Sequence, residues 1–475
     1  MARGVESVTK VLLLEPPKRV WDLMGDCVAP PLGLAHLAAV LEREPGVEVD
    51  ILDANALGWS WLQMGEAIAE AQPDVVGTTA LTPYFSTALK AMRLAKAVNP
   101  RVVTVLGGPH VTFTAEETMR EYPQVDVVAR GEGEALIGPL VRAIASGDSA
   151  ALDDVPGIAF RRNGDVVLNP LPPAVDMRAL PLPAYHLLPM NVYHFEFLGT
   201  FAVVQASRGC PHRCVFCAEW PFWGSGWRPR DPDSVVEEME VLSRHYGRES
   251  VWFGDDCFNV DGEHMAAICE GILHRGLQVK WYYQGRADLL VRHKELLPLM
   301  RRSGNQMVQI GIEAATDDEL RDLNKRLRVE QVKEAVALLR THDIVCQGML
   351  IIGAPGDSAR SIQRRVRFAK SLDLDFPVFT LYTPFPGSEA FEQAQAKGQL
   401  EKHPDYTRFD MAHALVPTDH LSRREVGSWY WWSLTNYYLD PIKMVRGLFA
   451  GNEWKRQTWR LMTAYNLKKR VQSWI

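Results

Sequence analysis

Residues 208–217 read RGCPHRCVFC and place Cys210, Cys214 and Cys217 within eight residues of one another. A structural zinc site usually takes four ligands from two separated pairs, and the other four cysteines are scattered and form no second pair. A fully ligated four-cysteine iron–sulfur cluster would also require another thiolate. Three thiolates on one segment therefore favour a [4Fe–4S] cluster with one iron left open to a substrate or cofactor.

The bulk composition of the 475-residue chain limits the class of protein. Its 47% hydrophobic and 23% charged residues are typical of a soluble globular protein, and its length suits two or three domains. A net charge of −6 gives no general attraction to nucleic acid. The cysteine spacing predicts no disulfide framework, which favours a reducing, cytoplasmic compartment. We expect no signal peptide and no membrane span, because no segment reaches the ~18 apolar residues required.

Residues 1–150 alternate between short apolar runs and helical patterns. Five apolar runs predict buried strands with helices between them, which indicates an α/β domain with a doubly wound, Rossmann-like parallel sheet. Such sheets bind ligands at the carboxyl ends of their strands. Glycine and threonine residues follow several of the predicted strands, so we expect a binding site at that edge.

The rest of the chain divides into three further regions. In residues 151–200, IAFRRNGDVVL predicts a hairpin that turns at Asn163-Gly164, and a proline-rich stretch predicts an ordered linker. Residues 201–400 hold six more strand patterns, most of them separated by helical patterns, and predict a partial (β/α)6 barrel. The cysteine segment follows the first of these strands. Residues 401–475 lose the alternation and predict a helical, aromatic and basic region.

The spacing C-x3-C-x2-C resembles the signature of the radical S-adenosylmethionine (SAM) enzymes. The resemblance implies that Cys210, Cys214 and Cys217 bind the cluster and that SAM fills the open position through its amino and carboxylate groups. It also implies reductive cleavage of SAM to a 5′-deoxyadenosyl radical, with an external electron donor such as flavodoxin or ferredoxin. A zinc-binding or coincidental trio is the alternative.

Further positions resemble the SAM site of that family. Phe216 takes the aromatic position between the last two cysteines, which implies contact with adenine. Gly254, Asp255 and Asp256 lie in FGDD after the second barrel strand and resemble a glycine–acidic motif that accepts hydrogen bonds from the SAM amino group. Which aspartate does so stays open, and a helix N-cap is the alternative role.

Three more residues belong to the implied SAM site. Glu313, in GIEA, resembles a residue near the SAM ribose and methionyl groups, with a buried structural carboxylate as the alternative. Gly353, in GMLIIGAPGD, lies in a motif that resembles the one packed along adenine, although glycines also serve turns. Arg286, in QGRAD, is expected to pair with a carboxylate at the barrel mouth, with a surface ion pair as the alternative.

The first domain resembles the cobalamin-binding domain that precedes the barrel in one large subgroup of these enzymes. The segments PPLGLAHLAAVLE, TALTPY, VLGGPH and VVARGEGE match it in kind and order. A dinucleotide-binding domain is the competitor, but G-x-G-x-x-G does not follow the first strand. The threonines are expected to bond the nucleotide tail of cobalamin, and the glycines to let it approach the backbone. The implied cobalamin contacts are Thr78, Thr79, Thr82, Gly107, Gly108, Gly131, Glu132 and Gly133.

The sequence lacks the D-x-H-x-x-G motif that supplies a histidine below cobalt. We therefore expect cobalamin with no histidine on its lower face, where Asp22, Met24 and Cys27 are the candidates to face the metal. His36 lies on an apolar helix pattern and is expected to pack in the core. For His110, a contact with the corrin is an alternative to packing.

Two implied cofactors predict hydrogen abstraction from an unactivated carbon, followed by methyl transfer from methylcobalamin. Cyclisation or another C–C or C–O bond formation on a lipid-like or tetrapyrrole-like small molecule is one alternative. A non-catalytic cobalamin sensor or carrier is another.

The end of the chain admits two interpretations. Residues 441–475 contain eight Lys/Arg and one acidic residue, beside Trp454, Trp459 and Trp474. Cations next to aromatic residues predict peripheral contact with a membrane surface and hint at a lipid-like substrate. A helical cap that packs its aromatic residues on the barrel and leaves a basic face in solvent is the other interpretation.

Overall fold

The computed structural model describes residues 8–18, 27–196, 198–224 and 226–472. The chain divides into two compact units. Among the described residues, the first unit contains 8–18, 28–193 and 222–224, and the second contains 27, 194–196, 198–221 and 226–472.

The first unit is built on a seven-stranded sheet in the order β3-β1-β4-β5-β6-β7-β8. The first five strands of that order are parallel, and the hairpin β7–β8 adds two antiparallel strands at the edge. This order confirms the predicted doubly wound sheet, because the chain adds β3 on one side of β1 and then β4, β5 and β6 on the other side. The seven strands are β1 (Thr9–Glu15), β3 (Val47–Asp53), β4 (Val75–Thr79), β5 (Val103–Gly107), β6 (Val127–Ala129), β7 (Ile158–Arg162) and β8 (Asp165–Leu168). The short strand β2 (Cys27–Val28) is not part of this sheet.

Helices connect the parallel strands and cover the sheet. Their buried residues are mostly alanine, leucine and methionine, which explains why the apolar stripes of the sequence predicted them. The helices of the first unit are α1 (Leu32–Leu41), α2 (Trp61–Ala71), α3 (Phe85–Val98), α4 (Pro109–Phe113), α5 (Ala115–Glu121) and α6 (Ile137–Ser146).

The second unit contains six parallel strands in the order β17-β16-β15-β14-β13-β10, and β9 pairs antiparallel with β10. This open parallel sheet confirms the predicted partial (β/α)6 barrel. A separate antiparallel pair, β11–β12, follows the first barrel strand. The strands are β9 (His194–Phe195), β10 (Gly199–Val204), β11 (Ser207–Arg208), β12 (Arg228–Pro229), β13 (Ser250–Phe253), β14 (Lys280–Gly285), β15 (Asn305–Glu313), β16 (Val345–Ile352) and β17 (Phe376–Leu381).

Local sequence signals explain where several helices of the barrel begin. Ser358 and Ser422 each accept a hydrogen bond from the backbone three residues later and close a capping box, and Asp261 caps its helix alone. The helices from residue 219 onward are α7 (Glu219–Trp223), α8 (Pro232–Glu240), α9 (Gly262–His274), α10 (Ala287–Arg292), α11 (Leu297–Arg302), α12 (Asp317–Asp322), α13 (Val329–Thr341), α14 (Ala359–Leu372), α15 (Glu389–Ala396), α16 (Arg423–Tyr438), α17 (Pro441–Leu448) and α18 (Glu453–Gln472).

The aromatic residues of the C-terminal region are largely core residues. Tyr437 and Tyr438 are fully buried and donate hydrogen bonds to the carbonyls of Leu374 and Pro377 at 2.7 and 2.5 Å. Trp454 and Trp459 are also buried. These contacts confirm a helical C-terminal region and agree with the interpretation as a cap on the barrel. Trp474 and the side chains of residues 468–470 lie outside the described residues.

A buried ion pair gives the segment GAPGD a structural role. The Asp357 carboxylate accepts hydrogen bonds from the backbone N–H of Gly353 and Ala354 at 2.9 and 3.1 Å. The same carboxylate pairs with Arg365 at 2.7 Å, and both side chains are buried. The turn after β16 is thereby joined to α14.

We expect Asp357→Ala to lower the free energy of unfolding by about 3 kcal/mol, because it removes the nearer carboxylate from the buried Arg365 cation and leaves only Glu319, at 3.5 Å. Asp318→Ala is the matched control. Asp318 pairs with Arg321 on the surface, with 83% and 74% of the side chains exposed, and such pairs contribute under about 1 kcal/mol. Urea unfolding followed by circular dichroism compares the two variants, and equal midpoints would contradict the role of Asp357.

Candidate active site

The three cysteines lie on the loop between β11 and α7 and line one cavity of about 330 Å³. The loop is held from two sides. Gly209 N–H donates to the Asp256 carboxylate at 2.9 Å, and Val215 N–H donates to the Leu323 carbonyl at 3.2 Å. Backbone bonds to two other loops therefore fix where the thiols point. All three thiols lie at the carboxyl end of the parallel strands, as the motif position predicted.

The protonation of the three thiols depends on their surroundings. Burial raises the pKa of the Cys214 and Cys217 thiols above their usual range. A hydrogen bond with Cys257 lowers the pKa of the Cys210 thiol to about 7, against the opposing effect of burial. The cations Lys325 and Arg286 favour the thiolate of Cys214. Three convergent thiols with cations beside them are a donor set that fits an iron–sulfur cluster.

Cys257 is a neighbour of this trio that the sequence spacing did not reveal. Its side chain is fully buried and does not line the cavity. Its thiol lies 3.6 Å from the Asn259 Oδ1 atom and hydrogen-bonds with Cys210. Cys257 therefore contacts the Cys210 sulfur but lies outside the cavity that the three other thiols line.

Arg286 is buried, which rules out the surface ion pair considered for it. The residue is 4% exposed, and its guanidinium group donates to both carboxylate oxygens of Asp288 at 2.9 and 3.2 Å. Nη2 also donates to the Lys325 carbonyl at 2.9 Å. Nη1 has no hydrogen-bond partner, and the residue lines the cavity. A buried guanidinium with a free donor is suited to an anionic ligand group.

Glu313 forms a buried ion pair with Lys325, a residue that the sequence analysis did not single out. Lys325 Nζ lies 2.7 Å from Glu313 Oε1, and both residues line the cavity. Burial alone would lower the pKa of Lys325, but Glu313 raises it above its ordinary value, so the lysine stays charged. Glu313 has a φ of +60°, a conformation rare for a residue with a side chain. Such strain is characteristic of functional sites.

Gly311 makes room for this ion pair. A Cβ atom at residue 311 would collide with Glu313 Oε1 and Lys325 Nζ. Residues 309, 311 and 313 are spaced two apart along β15 and all line the cavity. A polar residue four positions before Glu313, inside an otherwise apolar run, was the signal available in the sequence for Gln309.

The structure gives the two aspartates of FGDD different surroundings. Asp255 is fully buried, accepts hydrogen bonds from Ala206 N–H at 3.0 Å and Ser207 Oγ at 2.5 Å, and does not line the cavity. Burial raises the pKa of Asp255 to about 7. Asp256 lines the cavity. Neither caps α9, because Asp261 does so.

The two predicted glycines stay outside the cavity, whereas Phe216 lines it. A Cβ atom at Gly254 would lie 2.9 Å from Val203 Cγ1, so this glycine permits close strand packing. Gly353 has a φ of +85°, and a Cβ atom there would lie 2.5 Å from Val426 Cγ1 in α16. The Lys325 ammonium is 5.9 Å from the Phe216 ring.

The remaining cavity lining comes from the cysteine loop and the start of α7, from β14, β16 and β17, from the loop after β17, and from the segment before α16. It combines polar residues with apolar ones, and the sequence analysis named none of them. They are His212, Glu219, Gln284, Gly285, Met349, Ile351, Thr380, Leu381, Tyr382, Thr383, Phe385 and Met411.

In the first unit, the predicted cobalamin residues gather where β4 and β5 end. The Thr78 hydroxyl donates to the Leu14 carbonyl at 2.7 Å and is buried. Gly108 has a φ of +101°, and a Cβ atom there would lie 2.5 Å from Thr79 Oγ1. Thr82 Oγ1 lies 3.3 Å from His110 Nδ1. Glycine at residue 108 therefore keeps the ends of β4 and β5 close together, and Gly107 is the last residue of β5.

The segment 131–133 follows β6. Gly131 N–H donates to Thr112 Oγ1 at 2.9 Å, and Glu132 is buried and accepts a bond from Val175 N–H at 3.3 Å. A Cβ atom at Gly133 would lie 2.8 Å from a Leu37 methyl group, so this glycine lets α1 pack closely.

His36 and His110 of the first unit are both buried, as expected for His36. The His110 ring lies 4.2 Å from the Phe85 ring, and burial lowers the pKa of His110 to about 3. His110 is thus a neutral, packed residue. Asp22 and Met24 lie outside the described residues, and Cys27, in β2, is half-buried.

Comparisons with known proteins agree with both sites. The B12 binding domain model matches residues 26–140, and the Radical SAM superfamily model matches residues 204–369. An uncharacterised methyltransferase of Pyrococcus horikoshii is 33% identical over 93% of this chain and 95% of the relative. The anaerobic magnesium-protoporphyrin IX monomethyl ester cyclase of Rubrivivax gelatinosus is 32% identical over 84% of this chain and 71% of the relative.

A solved structure shares the fold over nearly the whole chain. It is the cobalamin-dependent SAM radical enzyme OxsB with aqua-cobalamin and SAM bound, with a TM-score of 0.75, 16% identity, and coverage of 98% of this chain and 80% of that chain. The class of protein is therefore a radical SAM enzyme with a preceding B12-binding domain. The chain belongs to the family of cobalamin-dependent radical SAM enzymes, which confirms the resemblance, the fold class and the cofactor set inferred from the sequence.

No helix among the described residues is long and apolar enough to cross a lipid bilayer.

We expect Cys214→Ala to abolish the cluster, because two thiolates cannot hold it, whereas Cys257→Ala should retain it. Iron and sulfide analysis and the electron paramagnetic resonance spectrum of oxygen-free, reconstituted protein test both outcomes. Cys269→Ala, at a buried cysteine that does not line the cavity, controls for the loss of a buried thiol. A cluster that survives Cys214→Ala, or disappears with Cys257→Ala but not Cys269→Ala, would contradict the assignment of ligands.

Proposed function

We propose that this enzyme abstracts hydrogen from an unactivated carbon and transfers a methyl group to that carbon. The observation that carries the proposal is one cavity that unites three cysteine thiols, the free Nη1 of Arg286 and the Glu313–Lys325 pair. When bound, the [4Fe–4S] cluster with SAM supplies a 5′-deoxyadenosyl radical, and methylcobalamin supplies the methyl group.

In this proposal, different residues of the cavity bind different chemical groups of SAM. Cys210, Cys214 and Cys217 would hold the cluster, and the iron without a protein ligand would bind the amino and carboxylate groups of SAM. Arg286 donates from Nη1 to the carboxylate, which supplies the partner that this nitrogen lacks. We assign the amino group to Asp256, because Asp256 lines the cavity and Asp255 does not.

Glu313 and Phe216 bind the nucleoside part of SAM in this proposal. Lys325 occupies Oε1 of Glu313, and we assign Oε2 to a ribose hydroxyl. Phe216 offers its ring to adenine. Gly254 and Gly353 support the site through the close packing that they permit.

The apolar part of the lining protects the reaction from water. Met349, Ile351, Leu381 and Phe385 border the same cavity as the thiols. A wall of this kind keeps solvent from a reactive radical and holds the substrate in one orientation.

We assign cobalamin to the carboxyl edge of the sheet in the first unit. Thr79, Thr82 and Gly108 lie at the ends of β4 and β5 or in the loops after them, and doubly wound sheets bind ligands at that edge. Thr78, Gly107 and residues 131–133 shape the edge through the contacts described above. The lower face of cobalt has no histidine in this proposal.

Methyl transfer is supported by the relative named as a methyltransferase, which is matched over nearly its whole length. Cyclisation or other bond formation on a lipid-like or tetrapyrrole-like substrate is the second candidate, because the cyclase has a similar level of identity.

The proposal includes the organisation and partners of the enzyme. We assign residues 1–150 to a cobalamin-binding domain, 151–200 to the hairpin and proline-rich linker, 201–400 to the radical SAM barrel and 401–475 to the helical C-terminal region. A cytoplasmic flavodoxin or ferredoxin supplies the electron, and the substrate is a small molecule. Peripheral contact with a membrane is assigned to the C-terminal region.

We expect Arg286→Leu to weaken SAM binding to the cluster-loaded enzyme by about tenfold or more, because a charge-assisted hydrogen bond contributes about 1.5–3 kcal/mol. Isothermal titration calorimetry under anaerobic conditions measures the dissociation constant, with iron content as the check on cluster loading. Arg286→Lys keeps the positive charge but lacks the planar guanidinium group, so its dissociation constant for SAM should lie between those of the wild type and Arg286→Leu. Exposed Arg321 provides the control Arg321→Leu, and unchanged affinity in Arg286→Leu would contradict the assignment.

We expect the reconstituted, reduced enzyme to convert SAM to 5′-deoxyadenosine and, with cobalamin present, to release S-adenosylhomocysteine as SAM remethylates the cofactor. Chromatography with mass spectrometry measures both products. Deoxyadenosine without S-adenosylhomocysteine would favour cyclisation. Bound corrin with neither product would indicate a sensor or carrier.

Two variants separate the two cofactors. Cys214→Ala should stop deoxyadenosine formation but leave corrin binding intact, whereas Gly108→Val should weaken corrin binding and leave the cluster intact, because its side chain displaces Thr79. Absorbance of the corrin after gel filtration distinguishes these effects.

A further inference from the structure

Helix α17 packs with one fixed face against α18. Gly447 is buried, and a Cβ atom there would collide with the indole ring of Trp459. Lys443, on the same side of the helix, pairs with Asp373 at 2.8 Å. These contacts determine which face of α17 is turned away from the rest of the unit.

The outward face carries an apolar stripe, which consists of Ile442, Val445 and Phe449. Their exposed fractions are 67%, 53% and 81%, and Phe449 is the most exposed large apolar residue in the described part of the chain. The spacing i, i+3, i+7 puts the three side chains on one side of the helix and its end. Exposed apolar residues are ordinary when single, but a contiguous stripe indicates an interaction surface.

The segment that carries the stripe has an excess of positive charge, and Asp440, which caps α17, is paired with Lys370 at 2.9 Å. Arg446 is exposed beside it, and Arg460 is exposed on α18. Lys443 and Lys455 are paired with Asp373 and Asp375, and Glu453 is the one acidic residue among eight Lys/Arg in residues 441–475. In a chain of net charge −6, this segment is the exception, and it is complementary to an anionic surface.

We propose that the stripe Ile442–Val445–Phe449 docks the enzyme on an anionic lipid surface. An amphipathic helix with an apolar face and flanking cations lies at the boundary between headgroups and acyl chains. A second copy of the chain fits less well, because three side chains fall far short of the ~800 Å² per partner that a standard interface buries. The inference rests on the peripheral membrane contact included in the proposed function, for which it names the surface and the lipid charge, and it does not depend on the proposed reaction.

The test is flotation of the full chain with vesicles of phosphatidylcholine, with and without about one third phosphatidylglycerol. We expect binding to the anionic vesicles and little to the neutral ones. The triple variant Ile442→Ser, Val445→Ser, Phe449→Ser should lose about tenfold or more of that binding, because three apolar side chains no longer enter the lipid. Arg446→Glu should weaken binding at low salt and less at high salt.

The control variant replaces three exposed leucines of the first unit, Leu62→Ser, Leu168→Ser and Leu171→Ser, and should bind as the wild type does. Circular dichroism verifies that the variants fold, and light scattering gives their oligomeric state. The proposal is overturned if the wild type does not float with anionic vesicles, or if the stripe variant floats equally well. A wild-type dimer that the stripe variant converts to a monomer assigns the stripe to a second copy and also overturns the proposal.

Discussion

Parallel strands bring all their carboxyl ends to one edge, and both cofactor sites depend on this constraint. In the barrel, residues distant in sequence, Cys214, Arg286 and Glu313, line one cavity because each lies at or just beyond a strand end. In the first unit, the same geometry gathers the ends of β4 and β5. The chemistry is therefore carried by short connections, while long apolar strands and helices supply the rigid support that such connections require.

Positive charge is the second organising element of the barrel site. Lys325 and Arg286 are buried beside three thiols, and each is stabilised by a carboxylate, Glu313 or Asp288. Buried ion pairs are costly to desolvate, and Glu313 adds a backbone conformation that is itself strained. Cations in this place favour ionised thiols and attract an anionic ligand group, so the cost is explained by function more readily than by stability.

The sequence analysis was most successful where a pattern is local. Hydrophobic periodicity predicted both sheets, and the spacing of Cys210, Cys214 and Cys217 predicted the cavity that they share. It missed Lys325 and Cys257, because each reaches the site through a contact with a residue far away or on another loop, which no spacing reveals. It singled out Gly353 by its motif, but the residue acts through close packing on Val426.

Gly311 has a consequence for how this cavity can evolve. Every other amino acid adds at least a methyl group, and that group would occupy the space of the Glu313–Lys325 pair. Both colliding atoms are the ends of flexible side chains, so a larger residue here would be accommodated by movement of the Glu313 carboxylate and the Lys325 ammonium. A change at residue 311 would therefore shift the ion pair, and with it the position of the charges that border the cavity, while leaving Glu313 and Lys325 themselves in the sequence.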